Sequence, residues 1–272
     1  MSEFEHNTIA VNGVDLNYRI DGKPEGPKIM FSNSLATNLS MWDPQVEALK
    51  NRYRILRYDK RGHGDSSQFD TPITMQTLAQ DAVDLAREVG FLDSHFVGLS
   101  IGGMTGQAIG IHHPGTFRSL SLCATTSQIP PEMHPLWHDR IALVKEKGME
   151  PLVASTLERW FSEGYRDSHV DKVAAIGNMV RNTSTTGYNR CSEAIIQMNF
   201  TEALAGVETP CLVLPGELDP ALNVGMSEVI RDAIPGARME IVKGAAHISN
   251  IEKADAFNRI IQQFFDGVEG TA

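Results

Sequence analysis

The sequence predicts an α/β domain with a mostly parallel eight-stranded sheet, flanked by helices and carrying a helical cap inserted after the sixth strand. Three observations support this. Short β-rich runs alternate with amphipathic helical patterns along most of the 272 residues. Most of these runs are continuously apolar, as in strands that helices cover on both faces. One long segment, from about residue 129 to 204, has helical spacing and no convincing strand.

The first two strands are predicted to form a hairpin. In "TIAVNGVDLNYRI", alternating apolar runs flank Asn12-Gly13, which is a strong hairpin signal. Six later β-rich runs predict the remaining strands, and in chain order they are "KIMFSNS", "YRILRYD", "HFVGLS", "SLSLCAT", "CLVLPGE" and "MEIVKGA".

Helical patterns separate these strands. The segment "MQTLAQDAVDLAREVGF" places Leu78, Ala82, Leu85 and Val89 on one face and ends at Gly90. The segment "GGMTGQAIGIHH" predicts a helix directly after the fifth strand, and "MSEVIRDAI" and "ADAFNRIIQQFF" predict two more near the end of the chain.

The strandless segment predicts a cap. It opens with the proline-rich "IPPEMHP" and continues with the amphipathic pieces "DRIALVKEKG", "MEPLVASTLERWF" and "DKVAAIGNMVRN". An insertion between two sheet strands is expected to cover the carboxyl ends of the strands, where open α/β sheets bind ligands. We therefore predict a core domain of residues 1–128 and 205–272 and a helical cap of residues 129–204.

A candidate nucleophile lies in "HFVGLSIGGMTG". Gly98-Leu99-Ser100-Ile101-Gly102 matches G-x-S-x-G between a predicted strand and a predicted helix, the context that this motif requires. The turn is tight enough to strain the serine and to exclude side chains at both glycines. Ser100 is the predicted nucleophile, and the N–H of Ile101 is a predicted oxyanion donor. The alternative is an idle serine in a glycine-rich turn.

A serine hydroxyl needs a base, and the base needs an orienting acid, here in the chain order Ser, Asp/Glu, His. Asp219 follows the seventh strand in "ELDPA", and His247 follows the last strand in "AAHISN". Glu217 is a rival for the acid, and Asp219 could instead cap a helix. His247 could be an ordinary surface-loop histidine.

The second oxyanion donor should come from the loop after the third strand, "SNSLATNLSMW", where the N–H of Leu35 is the donor by position. In "RGHGDSS", after the fourth strand, Arg61 and His63 are interpreted as structural support for the site. His134 and His138 lie in the predicted cap and could line a pocket, although exposure is favoured.

Composition excludes several partners. The net charge is −10 and no Lys/Arg cluster stands out, which argues against nucleic acid and anionic membranes. The acidic opening "MSEFEHNT" does not resemble a signal peptide, and no run of about 18 apolar residues could span a membrane. The cysteines, far apart in apolar settings, predict small buried hydrophobes in a reducing compartment rather than a metal or redox site. We therefore expect a cytoplasmic protein.

Taken together, these motifs resemble the α/β-hydrolase superfamily over nearly the whole chain. Five stretches resemble one family more narrowly, the 3-oxoadipate enol-lactonases of aromatic degradation: "SNSLATNLSMWDPQ", "RILRYDKRGHG", "GLSIGGMTGQA", "GYNRCSEAI" and "HISNIEKADAFN". The resemblance implies hydrolysis of 3-oxoadipate enol-lactone to 3-oxoadipate in the β-ketoadipate pathway, with no cofactor. It assigns the family's triad to Ser100, Asp219 and His247.

The same resemblance implies that Trp137 and Arg140, at the start of the cap, lie near the substrate carboxylate. The chain departs from the family at Ala36, where glycine is expected, and at Asn33-Ser34, where many relatives carry His-Gly. The cap segment "EMHPLWHD" also matches poorly.

The nucleophile narrows the chemistry. Haloalkane dehalogenases and epoxide hydrolases need a carboxylate nucleophile at the elbow, so a serine at this position excludes both reactions. The reaction that remains is acyl transfer from a small lactone or ester to water. An enol-lactonase is preferred, and a generic carboxylesterase or another lactone or amide hydrolase is the alternative. A second class is a non-catalytic, ligand-binding member of the fold. The oligomeric state is left open.

Overall fold

A computed structural model describes residues 7–270. Residues 1–6, most of the acidic opening that argued against a signal peptide, lie outside the described residues, as do residues 271–272. The strands are β1 Asn7–Val11, β2 Val14–Gly22, β3 Lys28–Ser32, β4 Arg54–Tyr58, β5 His95–Leu99, β6 Ser119–Cys123, β7 Cys211–Leu214 and β8 Arg238–Met239. The α-helices are α1 Asp43–Leu49, α2 Met75–Glu88, α3 Ile101–His112, α4 His134–Lys147, α5 Val153–Trp160, α6 Glu163–Ser168, α7 Val170–Asn182, α8 Thr185–Gln197, α9 Val224–Ala233, α10 Ser249–Glu252 and α11 Ala254–Glu269.

The eight strands form one sheet in the order β1-β2-β4-β3-β5-β6-β7-β8. Only the pairings of β2 with β1 and β4 are antiparallel. Every residue of β5, β6 and β7 is buried, so both faces are covered at the centre of the sheet. The predicted fold class is confirmed.

The predicted hairpin joins β1 to β2. Val11 pairs with Val14, and Asn12 and Gly13 between them have φ of 44° and 78°. Positive φ at both central residues is the geometry that matches the twist of the flanking strands.

The last strand is much shorter than "MEIVKGA" predicts. Only Arg238 and Met239 pair with β7, and a single isolated bridge follows between Val242 and Gly216. Pro215, directly after β7, has no N–H to give to a ladder, which interrupts the pairing. Beyond the interruption, the segment after β8 still runs alongside the end of β7, since the N–H of Val242 donates to Pro215 O at 2.9 Å. The loop after it therefore reaches the carboxyl edge of the sheet.

Five helices, α4 to α8, fill the chain between β6 and β7, where the sequence predicts the cap. They contact the core closely. A Cβ added to Gly187 in α8 would lie 2.2 Å from the carbonyl oxygen of Gly62, in the loop after β4. At the other side, the N–H of Ile248 donates to the carbonyl of Trp160 at 3.1 Å. Across residues 7–270, no helix is long and apolar enough to cross a membrane.

Candidate active site

Ser100 occupies a strained turn between β5 and α3. Its φ of 60° and ψ of −117° lie in a region that residues other than glycine rarely adopt. Two hydrogen bonds hold this conformation: the Ser100 N–H donates to Cys123 O at 2.8 Å, and the Thr125 hydroxyl donates to Ser100 O at 3.0 Å. The end of β6 therefore fixes the serine at the edge of the sheet.

Backbone crowding explains the two glycines of the motif. A Cβ at Gly98 would lie 2.0 Å from the carbonyl oxygen of Gly102, and a Cβ at Gly102 would lie 2.2 Å from that of Ser32. Both obstacles are backbone atoms that cannot rotate away as a side chain could. The sharp turn at Ser100 therefore requires glycine at both positions.

His247 and Asp219 form a buried pair. The Nδ1 of His247 lies 2.6 Å from Asp219 Oδ2, and the two side chains are 4% and 0% exposed. The other carboxylate oxygen of Asp219 accepts from the N–H groups of Ala221 at 2.9 Å and Leu222 at 3.0 Å. The carboxylate is thus fixed from both sides, and Nε2 of the imidazole is left for another partner.

Glu217, the rival acid, lies elsewhere. Its carboxylate accepts from the Gly244 N–H at 2.8 Å and from Lys243 Nζ at 2.9 Å, and its side chain is 39% exposed. The Gly244 hydrogen bond, followed by that of Lys243, lowers the pKa of Glu217. The structure therefore brings Asp219, and not Glu217, to His247.

The two predicted oxyanion donors have unused N–H groups. Leu35 lies in the loop after β3, and Ile101 is the first residue of α3, where helical N–H groups have no partner within the helix. Neither backbone N–H has an acceptor in residues 7–270. Ala36 has a φ of 60°, which explains why glycine is expected there.

A cleft beneath the cap contains the predicted nucleophile and the predicted base. Its empty volume is about 950 Å³, counting the part open to solvent. Ser100, His247 and Leu35 line its floor. Cap residues, most of them apolar, form much of the wall: Met133, Leu136, Trp137, Leu152, Thr156, Trp160, Val180, Tyr188 and Ile195.

Two arginines supply the charge in this cleft. Arg140 and Arg159, both from the cap, line it, and no Asp or Glu does within the described chain. The Arg140 Cζ lies 5.5 Å from the ring centroid of Trp137, and Arg159 Nη2 donates to Thr156 at 3.2 Å. Neither guanidinium has a carboxylate partner in the described part of the chain. Burial, and then the neighbouring Arg140, lower the pKa of Arg159.

Sequence reasoning missed Arg159, Trp160 and Tyr188. The Trp160 ring stacks on His247, with centroids 6.0 Å apart and planes at 28°. Burial raises the pKa of Tyr188, and both arginines act on it in the opposite direction. The adjacent Arg159-Trp160 at the end of an amphipathic stretch was the available signal, since it repeats the combination found at Trp137 and Arg140.

Other candidate residues lie outside the cleft. Arg61 forms a buried ion pair with Asp81, at 2.5 and 2.6 Å, and His63 is fully buried, as expected of structural support. His134 and His138 do not line the cleft. The cysteines are free and buried, and residues 7–270 contain no cluster of side chains suited to a metal ion.

The chain is similar over nearly its whole length to known proteins. Residues 32–260 match the model of the Alpha/beta hydrolase family. The chain is 33% identical over 271 residues to 3-oxoadipate enol-lactonase 1 of Acinetobacter baylyi, covering 99% of this chain and 100% of the relative. It is 32% identical over 256 residues to enol-lactonase 2 of that organism, covering 94% and 95%. The crystal structure of an enol-lactonase from Burkholderia xenovorans is similar with a TM-score of 0.91 and 38% identity, covering 95% of this chain and 99% of the other.

Proposed function

Because the chain belongs to the alpha/beta hydrolase family, we propose that it hydrolyses a small anionic lactone through an acyl-enzyme on Ser100. The first candidate is 3-oxoadipate enol-lactone, the substrate named for both Acinetobacter relatives. One observation carries the choice of an anion: two arginines without carboxylate partners line the cleft that contains Ser100 and His247.

Acylation begins when the hydroxyl of Ser100 attacks the lactone carbonyl. His247 accepts the proton at Nε2, because its Nδ1 is engaged by Asp219. The carbonyl oxygen becomes an oxyanion, which the N–H groups of Leu35 and Ile101 bind. Collapse of this intermediate breaks the ring C–O bond, and His247 returns the proton to the enol oxygen.

Deacylation releases the product. The enol remains attached to the acyl chain, so the first step opens the ring without losing a fragment. A water molecule then gives its proton to His247 and attacks the ester of Ser100. Breaking that ester restores the serine and frees a dicarboxylate, whose enol converts to the ketone.

The cap is proposed to select the substrate. A chain of net charge −10 repels anions at long range, so an anionic lactone needs a local cation. Arg140 suits this role because a guanidinium can grip both oxygens of a carboxylate. The apolar wall around it reduces screening by water, which strengthens the pairing. The three free, buried cysteines are compatible with the cytoplasm, where we place the reaction.

The function is tested with a panel of substrates. Hydrolysis of a lactone or ester releases one acid equivalent, so titration at constant pH measures these substrates in the same way, and hydrolysis of the amide is followed by the ammonium that it releases. We expect the highest kcat/KM for 3-oxoadipate enol-lactone and lower values for a neutral lactone, phenyl acetate and a simple amide. A preference for neutral esters would indicate a general carboxylesterase, and no turnover of any substrate would indicate a binding protein.

Arg140→Met is expected to lower kcat/KM for the anionic enol-lactone at least about 30-fold. An unpaired buried anion costs about 2–5 kcal/mol, and about 1.4 kcal/mol is tenfold. Turnover of neutral phenyl acetate should stay near the wild-type value. Arg159→Met, tested beside it, shows whether the second arginine shares the carboxylate.

Arg181→Met is the matched control, because Arg181 is a cap arginine that pairs with Glu150 outside the cleft. This substitution should leave the turnover of both the anionic and the neutral substrate unchanged. Equal losses on the anionic and the neutral substrate in Arg140→Met would mean that the cap was disturbed. No loss on either would place the carboxylate elsewhere.

A further inference from the structure

Lys60 is a buried cation directly beneath the loop that carries Leu35. It follows β4 and is 3% exposed, and its ammonium donates to Asn33 O at 2.9 Å and to Ser34 O at 3.0 Å. No carboxylate in the described chain lies within ion-pair distance of it. The adjacent carboxylate of Asp59 instead accepts from Asn17, Leu39 and Asp65.

An ammonium in this position is costly. Removing an ion from water costs several kcal/mol, and carbonyl oxygens return only part of that without a counter-charge. Burial lowers the pKa of Lys60 to about 8, while Cys191 and Asp59 act in the opposite direction. The lysine therefore remains mostly protonated at neutral pH. An apolar side chain would fill the same space at a lower cost, so packing alone does not explain the charge.

The hydrogen bond to Ser34 acts on the oxyanion loop through one covalent unit. The carbonyl of Ser34 and the N–H of Leu35 belong to the same planar peptide group. A cation on the oxygen of a peptide draws electron density from its nitrogen, which makes the N–H a stronger donor. The second bond, to Asn33 O, fixes the preceding peptide and therefore the direction of the Leu35 N–H.

We propose that Lys60 is a positioning residue that orients and polarises the Ser34–Leu35 peptide, so that the Leu35 N–H stabilises the oxyanion. The inference rests on the proposed function, since it needs an oxyanion to form at this site. The developing negative charge is the counter-charge that Lys60 lacks in the resting protein. No proton is transferred, because the ammonium keeps its proton throughout.

Lys60→Met keeps an unbranched side chain, one atom shorter than that of lysine, and removes the charge. With neutral phenyl acetate as substrate, we expect kcat to fall about 10- to 100-fold with little change in KM, less than the loss of a whole oxyanion donor. Lys50→Met is the control, since Lys50 is an exposed lysine paired with Glu47 at the end of α1. It should leave both constants unchanged.

The pH profile separates polarisation from packing. Lys60 is charged below its pKa, so kcat/KM of the wild type should fall as the pH rises through about 8, and Lys60→Met should lose this alkaline limb. The groups around Lys60 are Asp59, Cys191 and His63. Burial raises the pKa of Cys191 to about 12 and lowers that of His63 to about 3, so neither titrates in this range. Burial also raises the pKa of Asp59, a carboxyl group that its hydrogen bonds favour as the anion.

Each outcome decides the inference. A Lys60→Met protein with a lower Tm but the wild-type kcat and alkaline limb would show a purely structural lysine. If this variant does not fold, the wild-type profile decides alone: a flat kcat/KM from about pH 7 to about pH 11, a range that includes both the lowered pKa of Lys60 and the ordinary pKa of a lysine, overturns the inference. Turnover that survives Ser100→Ala would instead reject the proposed function. Turnover that is lost in Ser100→Ala but unchanged in Lys60→Met would reject only the role of the lysine.

Discussion

Ser100→Ala is expected to lower kcat about a million-fold, as removal of the nucleophile does in serine hydrolases. Without the hydroxyl no acyl-enzyme can form, and His247 has no oxygen to deprotonate. Leu35 and Ile101 would still bind a carbonyl oxygen, so a small residual rate above that of water is expected. The substitution deletes one oxygen atom at a site held by backbone contacts, so the fold should be retained.

Two measurements check this result. The steady-state rate gives the loss of kcat, and mass spectrometry after phosphonate treatment should find the label on Ser100 in the wild type and none in the variant. Ser121→Ala is the matched control, because Ser121 is a buried serine in β6 whose hydroxyl has no hydrogen-bond partner in the described chain. Ser121→Ala should be labelled by the phosphonate at Ser100 and should have the same kcat as the wild type. Near-normal turnover of Ser100→Ala would end the proposed mechanism.

The parts of this molecule that sequence predicts well are those that local backbone geometry determines. Asn12-Gly13 specifies its hairpin because the turn needs positive φ at two successive residues. Gly98 and Gly102 mark the elbow because backbone atoms lie within about 2 Å of the positions that their side chains would fill. Such constraints involve few residues, and they leave a signature in the residue types themselves.

Long-range packing leaves no such signature. Trp160 faces His247, 87 positions later in the chain, only because the cap docks on the loop after β8. The adjacent Arg159-Trp160 resembles the pair Trp137 and Arg140, but the pattern does not show that Arg159 faces the cleft. Likewise, nothing in "RYDKRGHG" shows that the Lys60 ammonium meets the loop after β3. The predicted length of β8 was wrong for a related reason. The apolar pattern of "MEIVKGA" does not show where Pro215, on the neighbouring segment, interrupts the pairing.

The rival acids show where the two kinds of information meet. Sequence placed Asp219 and Glu217 in one loop after β7, two residues apart, and could only favour the first. The structure separates them because the Asp219 carboxylate turns inward, where the N–H groups of Ala221 and Leu222 hold it, while Glu217 pairs with Lys243 at the surface. The order of residues gave the candidates, and hydrogen bonding favours Asp219 as the acid that would orient His247.

Asp219→Asn should lower kcat on the order of ten-thousand-fold. In the wild type, Oδ1 accepts two backbone N–H groups and Oδ2 faces His247 Nδ1. An asparagine must keep its oxygen toward the two N–H donors, which turns its NH₂ group toward the imidazole. Nδ1 must then accept a hydrogen bond, so the imidazole proton moves to Nε2. A histidine in that tautomer cannot take the proton of Ser100.

The comparison with Glu217→Gln makes this prediction specific. A glutamine at position 217 can still accept from the Gly244 N–H, so kcat should stay near the wild-type value. Thermal unfolding of both variants checks that Asp219→Asn remains folded, because its size and its two backbone hydrogen bonds are kept. Loss of activity in Glu217→Gln but not in Asp219→Asn would mean that the orienting acid is Glu217. A large loss in Asp219→Asn alone, at an unchanged Tm, is what a histidine held in the wrong tautomer produces.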